Sequence, residues 1–409
     1  MFKIIYNRYG GLLMAGLAAF ALFTACKKTS ARGPEITGVR NYAPTPGDTT
    51  LSSLTPAGQW VVLEGRNLKN AVEIAFDGVP VSFNYELFSD TSAVVQLPVV
   101  IPFNTVSASD QNTIKYVTTA GSTTFKFNIV VPPPAITGIS NEMAGPGDSV
   151  RITGANFFLI SDLRFSGTPI TAYNVSPDGT SIGFVVPALT NAGPVSITTK
   201  SGAAVTPFNV EDTVDGVLCN FDNVNTYQFW SAALDNSSTD FPGNRGQYAV
   251  LNTGGPLNAG DGSWWNGGRG INCNSAQWVP ASNLSDPIGN WALKFEISVP
   301  TPWNGISIFI VKDFSWTYLA RYEPWENSNG AASSYTTTGW QTVTIPLSSF
   351  LTTPNGKLDG TGNAAPNLTT LLGSSGSGGV NMYAMNDGAS ASPTGLYAGI
   401  DNIRVVKIQ

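Results

Sequence analysis

Apolar and polar residues run along this chain in short alternating stretches, not in helical periods. Val150-Arg151-Ile152-Thr153 alternates and stops at Gly154. Trp291, Leu293, Phe295, Ile297 and Val299 occupy every second position, which predicts a strand with one face in a core. Ile306-Ser307-Ile308-Phe309-Ile310-Val311 predicts a more deeply buried strand. Trp340-Gln341-Thr342-Val343-Thr344-Ile345-Pro346-Leu347 predicts another, and Gly399-Ile400-Asp401-Asn402-Ile403-Arg404-Val405 the strand that closes the chain. Pro187 and Pro194 punctuate the strands around them. No stretch holds a long helical period, so the expected class is all-β.

The first half repeats itself. Pro34-Glu35-Ile36-Thr37-Gly38-Val39 recurs as Pro134-Ala135-Ile136-Thr137-Gly138-Ile139, and Pro46-Gly47-Asp48 as Pro146-Gly147-Asp148, both 100 residues on. The offset then falls to 89: Glu64-Gly65-Arg66-Asn67-Leu68 matches Thr153-Gly154-Ala155-Asn156-Phe157, and Phe76-Asp77-Gly78-Val79-Pro80 matches Phe165-Ser166-Gly167-Thr168-Pro169. It is 81 where Phe127-Asn128 matches Phe208-Asn209. The first copy therefore carries insertions between Thr49 and Trp60 and around Phe103 to Gln111, in turn regions that tolerate them. Copies at 34–131 and 134–210 read as small β-sandwiches, joined by the stiff Val131-Pro132-Pro133-Pro134. The segment 213–409 reads as a larger jelly-roll sandwich. Trp60, leading Val61-Val62-Leu63, is expected in a core, and the two copies are expected to act as a spacer without aromatic loops.

Composition narrows the chemistry. Of 409 residues only 12% are charged, Gly and Pro number 43 and 27, and the net charge is −6. No basic patch is present to neutralise phosphates, which argues against nucleic acid. Histidine is absent, which removes Ser-His-Asp and Cys-His nucleophilic sites and most zinc and non-haem iron sites. Paired-carboxylate hydrolysis needs no histidine and stays open, with Glu323, Glu326 and Asp261 as the acids to consider.

Residues 1–26 read as a targeting segment. Lys3 and Arg8 precede an apolar run, Gly11 to Phe23, too short to span a bilayer comfortably, and Phe23-Thr24-Ala25-Cys26 resembles a lipobox. That pattern predicts cleavage before Cys26, lipidation of Cys26 and a polar tether over 27–33. Export permits a disulfide between Cys219 and Cys273, and two buried thiols fit equally well.

Nine of the ten tryptophans lie between Trp230 and Trp340. A tryptophan face desolvates the C–H patch of a sugar, and neutral amides and a few charges bond the hydroxyls. Trp264-Trp265 lies in Gly260-Asp261-Gly262-Ser263-Trp264-Trp265-Asn266-Gly267-Gly268-Arg269-Gly270, a loop poorly suited to bury two indoles, and is the first platform candidate. Trp230 is open between core and platform. Trp303 is expected at a loop tip, and one aromatic from Trp303, Trp316, Tyr322 or Trp325 is expected in the platform. Asn266, Arg269 and Arg321 are candidate hydroxyl contacts. Trp291 and Trp340 are expected in the core; Trp278 is undecided. A structural adhesin with every tryptophan in the core is the remaining alternative.

The ordered motifs of the repeats resemble the IPT/TIG immunoglobulin-like domain. The opening Phe221-Asp222-Asn223, the closing Ile400-Asp401-Asn402-Ile403-Arg404-Val405 and the Trp340–Leu347 strand resemble carbohydrate-binding jelly rolls. With the lipobox, the whole resembles a surface glycan-binding lipoprotein of a polysaccharide-utilisation system whose C-terminal domain is of the xyloglucan-binding type. That resemblance implies non-catalytic binding of a polysaccharide, a neutral β-glucan such as xyloglucan leading. It also implies outer-membrane display and a TonB-dependent transporter complex as partner. No cofactor is expected beyond a structural Ca²⁺ at Asp222 and Asp401, two acids that fit turn or strand-edge roles as well.

Overall fold

The structure is a computed structural model and describes residues 32–189, 191–228, 232–327 and 330–409. It separates into two compact units, one ending at Val131 and one running from Pro132 to Gln409.

In the first unit, strands Glu35–Asn41, Trp60–Arg66 and Ser92–Gln96 form a three-stranded antiparallel sheet. Val79–Pro80, Ala71–Phe76, Thr113–Thr118 and Gly121–Lys126 form a four-stranded one. Val61, Leu63, Ile74, Phe76, Val95, Ile114 and Tyr116 are buried between them. The first insertion supplies Ser53–Leu54, which pairs in parallel with Asn128–Ile129.

The second copy, in the second unit, has two four-stranded sheets around Ile152, Phe157, Phe165, Ile182 and Ile197, the strand Tyr173–Val175 being the addition. The repeat has a steric cause. A Cβ at Gly65 would lie 1.9 Å from the Glu35 carbonyl oxygen, and one at Gly154 would lie 2.0 Å from that of Ala135. Two residues on, Asn67 and Asn156 take φ of +55° and +61°, and each donates its amide to the chain entering the domain, at Gly33 and Pro133. The Gly-x-Asn of the repeat is the device that locks the first strand onto the second.

Two expectations for the first copy need correction. Trp60 is 41% exposed. The strand's alternation sends Val61 and Leu63 inward, and Trp60 stands at the strand's first position, beyond the core. Phe83, Tyr85 and Phe88 form an aromatic loop, with Phe83 5.4 Å from each of the other two.

The C-terminal sandwich has two sheets. One orders Ala233–Asp235, Tyr248–Asn252, Tyr397–Lys407, Trp291–Ser298 and Gln341–Pro346, with Val217–Cys219 also on Tyr397–Lys407. The other orders Gly270–Asn272, Val380–Met385, Ser307–Lys312, Ser315–Tyr322 and Leu351–Thr352. Leu293, Phe295, Ile297, Ile308, Ile310, Met382, Ile400 and Ile403 fill the space between. Cys219 and Cys273 are buried free thiols within hydrogen-bonding reach of each other.

Every residue of Trp291–Ser298 is buried, the polar ones included. The second immunoglobulin-like domain covers their face. Lys294 donates to Glu142 at 2.5 Å, and Arg404 bonds Glu142 at 2.8 Å and Glu296 at 2.8 and 3.0 Å. Thr342 donates to Glu296 and accepts from the Glu142 amide. Two acids and two bases thus neutralise one another out of water, which fixes the two domains as one body.

Candidate functional site: an aromatic sheet face

The five-stranded sheet buries one face and carries a second cluster on the other. Alternation sends Ile308, Ile310, Met382 and Ala384 into the core and Phe309, Val311, Tyr383 and Met385 outward. Register aligns Tyr383, Phe309 and Arg321 in one row across three strands. Tyr383 is the floor. Its hydroxyl donates to Asn272 Oδ1 at 2.8 Å, which fixes the ring in plane, and burial pushes its pKa upward.

Two tryptophans lie on that floor. The Trp264 ring is centred 4.6 Å from Tyr383, and Trp316 stacks on it at 5.6 Å with planes 23° apart. Trp265 meets Trp264 edge-on at 5.8 Å and is 64% exposed. Phe314 lies 6.4 Å from Trp264.

The loop bearing the indole pair is built rather than slack. Asp261 bridges to Asn386, accepts from the Ser263 amide at 3.0 Å and pairs with Arg269 at 3.0 Å. The Arg269 carbonyl accepts from Ala384 of the sheet. These bonds to Ser263 and Arg269 hold the Asp261 carboxyl below its usual pKa although its burial opposes them. At the other side Arg321 lies over Phe309 at 4.9 Å and pairs with Glu323 at 2.5 Å and Asp387 at 2.6 Å.

The structure thus brings Trp264, Trp265 and Trp316 together, with Asn266 exposed beside them. Arg269 and Arg321 border the face inside ion pairs, as clamps on its loops. Trp303 is corrected to a structural role, with the partly buried Tyr322 and Trp325 packed beside it. Trp303 is fully buried, and its indole and that of Trp325 both donate to the Ile306 carbonyl at 2.8 Å. Tyr322 points inward in its strand, edge-on to Phe295 at 5.7 Å. The three close one end of the core, because a Pro-flanked turn at 302–305 folds its indole back into the sandwich. Trp291 and Trp340 are buried, and so is Trp278, which bonds the Gly378 carbonyl. Trp230 and Cys26 lie outside the described residues.

Tyr383, Phe309, Phe314 and Asp387 were missed. The signal for Tyr383 was present in Val380-Asn381-Met382-Tyr383-Ala384-Met385, where the large ring opposes the core positions Met382 and Ala384.

Of the acids considered for hydrolysis, Glu323 is held by Arg321 and Ser307, Asp261 by Arg269, and Glu326 is exposed at a bridge to Ala332. Asp222 and Asp401 do approach one cavity of about 110 Å³, together with Asn220, Asn244, Glu296 and Asn402. Among the described residues no group of three or more His, Cys, Asp or Glu is placed to hold a metal. The cavity nonetheless collects side-chain oxygens: among the described residues Asn244 Oδ1 is buried without a donor, and Asp401 accepts from its neighbour Asn402. Burial, then Glu296 and Asp222, push the Asp401 carboxyl up to about 8.

Paired immunoglobulin-like modules ahead of a sandwich with an aromatic outer sheet define a modular β-sandwich protein. Residues 210–407 match the family described as the surface glycan-binding protein B xyloglucan binding domain. An "IPT/TIG domain-containing protein" of Bacteroides ovatus is 26% identical over 336 residues, 79% of this chain and 62% of the relative. The chain therefore spans about three fifths of that relative's length. Its fold is similar to surface glycan-binding protein PbSGBP-B from Prevotella bryantii, with TM-score 0.66, 23% identity and coverage of 91% and 98% of the two chains. It is also similar to an SGBP-B from a complex xyloglucan utilization locus in Bacteroides uniformis, with TM-score 0.51, 18% identity and coverage of 92% and 99%. Among the described residues no helix is long and apolar enough to cross a membrane.

Proposed function

We propose that this protein binds a neutral β-glucan, xyloglucan leading, on the outer face of the five-stranded sheet and does no chemistry on it. The observation that carries this is the stack of Trp264 and Trp316 on Tyr383, with Trp265 exposed beside it. Flat rings take the C–H faces of successive sugars, and amides and bound charges at the rim take the hydroxyls. Several rings are needed. Micromolar to millimolar affinity is about 4–8 kcal/mol, and a hot-spot ring supplies roughly 2 kcal/mol. The test is a panel of soluble β-glucans and α-glucans in affinity electrophoresis with a reducing-sugar assay alongside. Retardation by a β-glucan without release of reducing ends is expected; release of reducing ends, or retardation by α-glucans alone, overturns the reading.

The reading extends to the cell. Cys26 is lipidated and tethers the chain to the outer membrane at the cell surface, where bound glycan passes to a TonB-dependent transporter. The Thr24-Ala25-Cys26 sequence supports the anchor, and the matched family supports the surface. Cys26→Ser should leave the membrane fraction; retention there overturns the anchor.

Ca²⁺ is the hard cation that the Asp222–Asp401 cavity would hold. Two carboxylates and the donorless Asn244 oxygen are suitable ligands, and the cation would relieve the repulsion around Asp401. A melting temperature raised by Ca²⁺ and lowered by chelator is expected; no response to either removes the cation.

A further inference from the structure

The exposed Trp60 has company. In the three-stranded sheet of the first unit, Trp60 opposes Gln96 on one side. On the other, Tyr42 continues the strand whose Asn41 opposes Val61. Trp60 and Tyr42 are 41% and 55% exposed, with rings 6.5 Å apart and tilted by 51°. A ring pair on the surface of a small domain is unusual, since folding gains by burying such rings.

What surrounds the pair says what it suits. The amides of Gln59 and Gln96 are anchored to the Thr55 and Gly58 carbonyls at 2.6 and 2.8 Å. Two residue pairs along the sheet, Arg40 is neutralised by Glu64 at 3.0 Å and Asp48 at 3.6 Å. Two rings, oriented amides and a self-neutralised ion pair are the ingredients of the C-terminal face, where Trp264 and Trp265 stand beside Arg269–Asp261. A phosphate or carboxylate ligand would need an unpaired base, and Arg40 is already committed.

We propose that Tyr42 and Trp60, with Gln59 and Gln96 at the rim, form a second, weaker contact site for the same neutral glycan. The proposal rests on the reading that the C-terminal face binds such a glycan. One ring pair without a stacked floor supports only weak binding, so the site acts through multivalency on a long polymer. It raises apparent affinity for polysaccharide while leaving that for a short oligosaccharide unchanged.

The experiment uses the full chain, soluble xyloglucan and a xyloglucan-derived heptasaccharide. Trp60→Ala and, separately, Tyr42→Ala should keep the wild-type melt, because both rings are exposed. Each should weaken polymer binding about three- to ten-fold and change heptasaccharide binding less than two-fold. In a Trp264→Ala/Trp265→Ala background, residual retardation by polymer should remain and disappear when Trp60→Ala is added. Polymer binding unchanged in both single variants overturns the second site and leaves the patch to a protein contact. Retardation that survives Trp264→Ala/Trp265→Ala in full and is lost with Trp60→Ala overturns the C-terminal reading instead.

Discussion

The Trp264 ring lies on Tyr383 with centroids 4.6 Å apart and planes at 39°, so one face of the indole is used within the protein. Trp265, edge-on to it, contributes almost nothing to the fold at 64% exposure. Trp265→Ala should therefore leave the thermal melt within about 1 °C and weaken β-glucan binding by about 2 kcal/mol, roughly thirty-fold. Trp264→Ala should weaken binding at least as much with a small loss in the melt. Intact binding in both folded variants would place the site elsewhere.

Trp303 gives the opposite result. It is fully buried against Tyr322 and Tyr335, with its indole N–H bonded at 2.8 Å. Trp303→Ala opens a large cavity and should destabilise the C-terminal domain by about 3–5 kcal/mol in denaturant unfolding, while the folded fraction binds glycan normally. A loss of binding with an unchanged melt would return Trp303 to the platform.

The buried charges at 142, 294, 296 and 404 predict where the chain can be cut. Glu142→Ala leaves Lys294 and Arg404 facing each other with only Glu296 to compensate, a cost of about 3–5 kcal/mol. A fragment of residues 213–409 removes Glu142 together with its domain but returns Lys294, Glu296 and Arg404 to water, so relative to 132–409 it should lose less than Glu142→Ala costs. Equal denaturation midpoints for the two fragments would show that the cluster contributes nothing net.

The all-β class, the repeated modules and the Trp264–Trp265 loop were legible because each rests on local pattern: alternation, turn glycines, and two indoles among residues too small to cover them. Trp303 and Trp60 were not legible, and for one reason. Trp60 opens its strand and Trp303 lies in the turn between two strands, where one more residue of bend decides between core and solvent, and nothing in the local pattern fixes that bend. Tyr383 belongs to a strand whose neighbours come from far along the chain, and Asp387 lies in the loop just after it, so their meeting with Trp264 and Arg321 is a property of the sheet register. The cover over Lys294, Glu296 and Arg404 was not legible, because polar alternation looks the same whether water or a second domain covers it.

Asp401 sets the pH dependence. Its folded pKa is raised from 3.8 to about 8 by burial and by Glu296 and Asp222. A raised carboxyl pKa means that the folded state holds the proton more tightly than the unfolded chain. The stability this contributes is full below about pH 4 and is lost as pH rises toward about 8, above which it is flat. Asp401→Asn keeps the neutral shape and removes the titration. It should flatten the fall in melting temperature between pH 5 and 8 and raise the melt at pH 8 in chelator. Ca²⁺ reverses the sign, because a bound cation favours the carboxylate: with millimolar Ca²⁺ the wild type should gain stability as pH rises, and Asp401→Asn should not. Parallel melting curves for wild type and Asp401→Asn across this range, with and without Ca²⁺, would show that the carboxyl is as well solvated folded as unfolded.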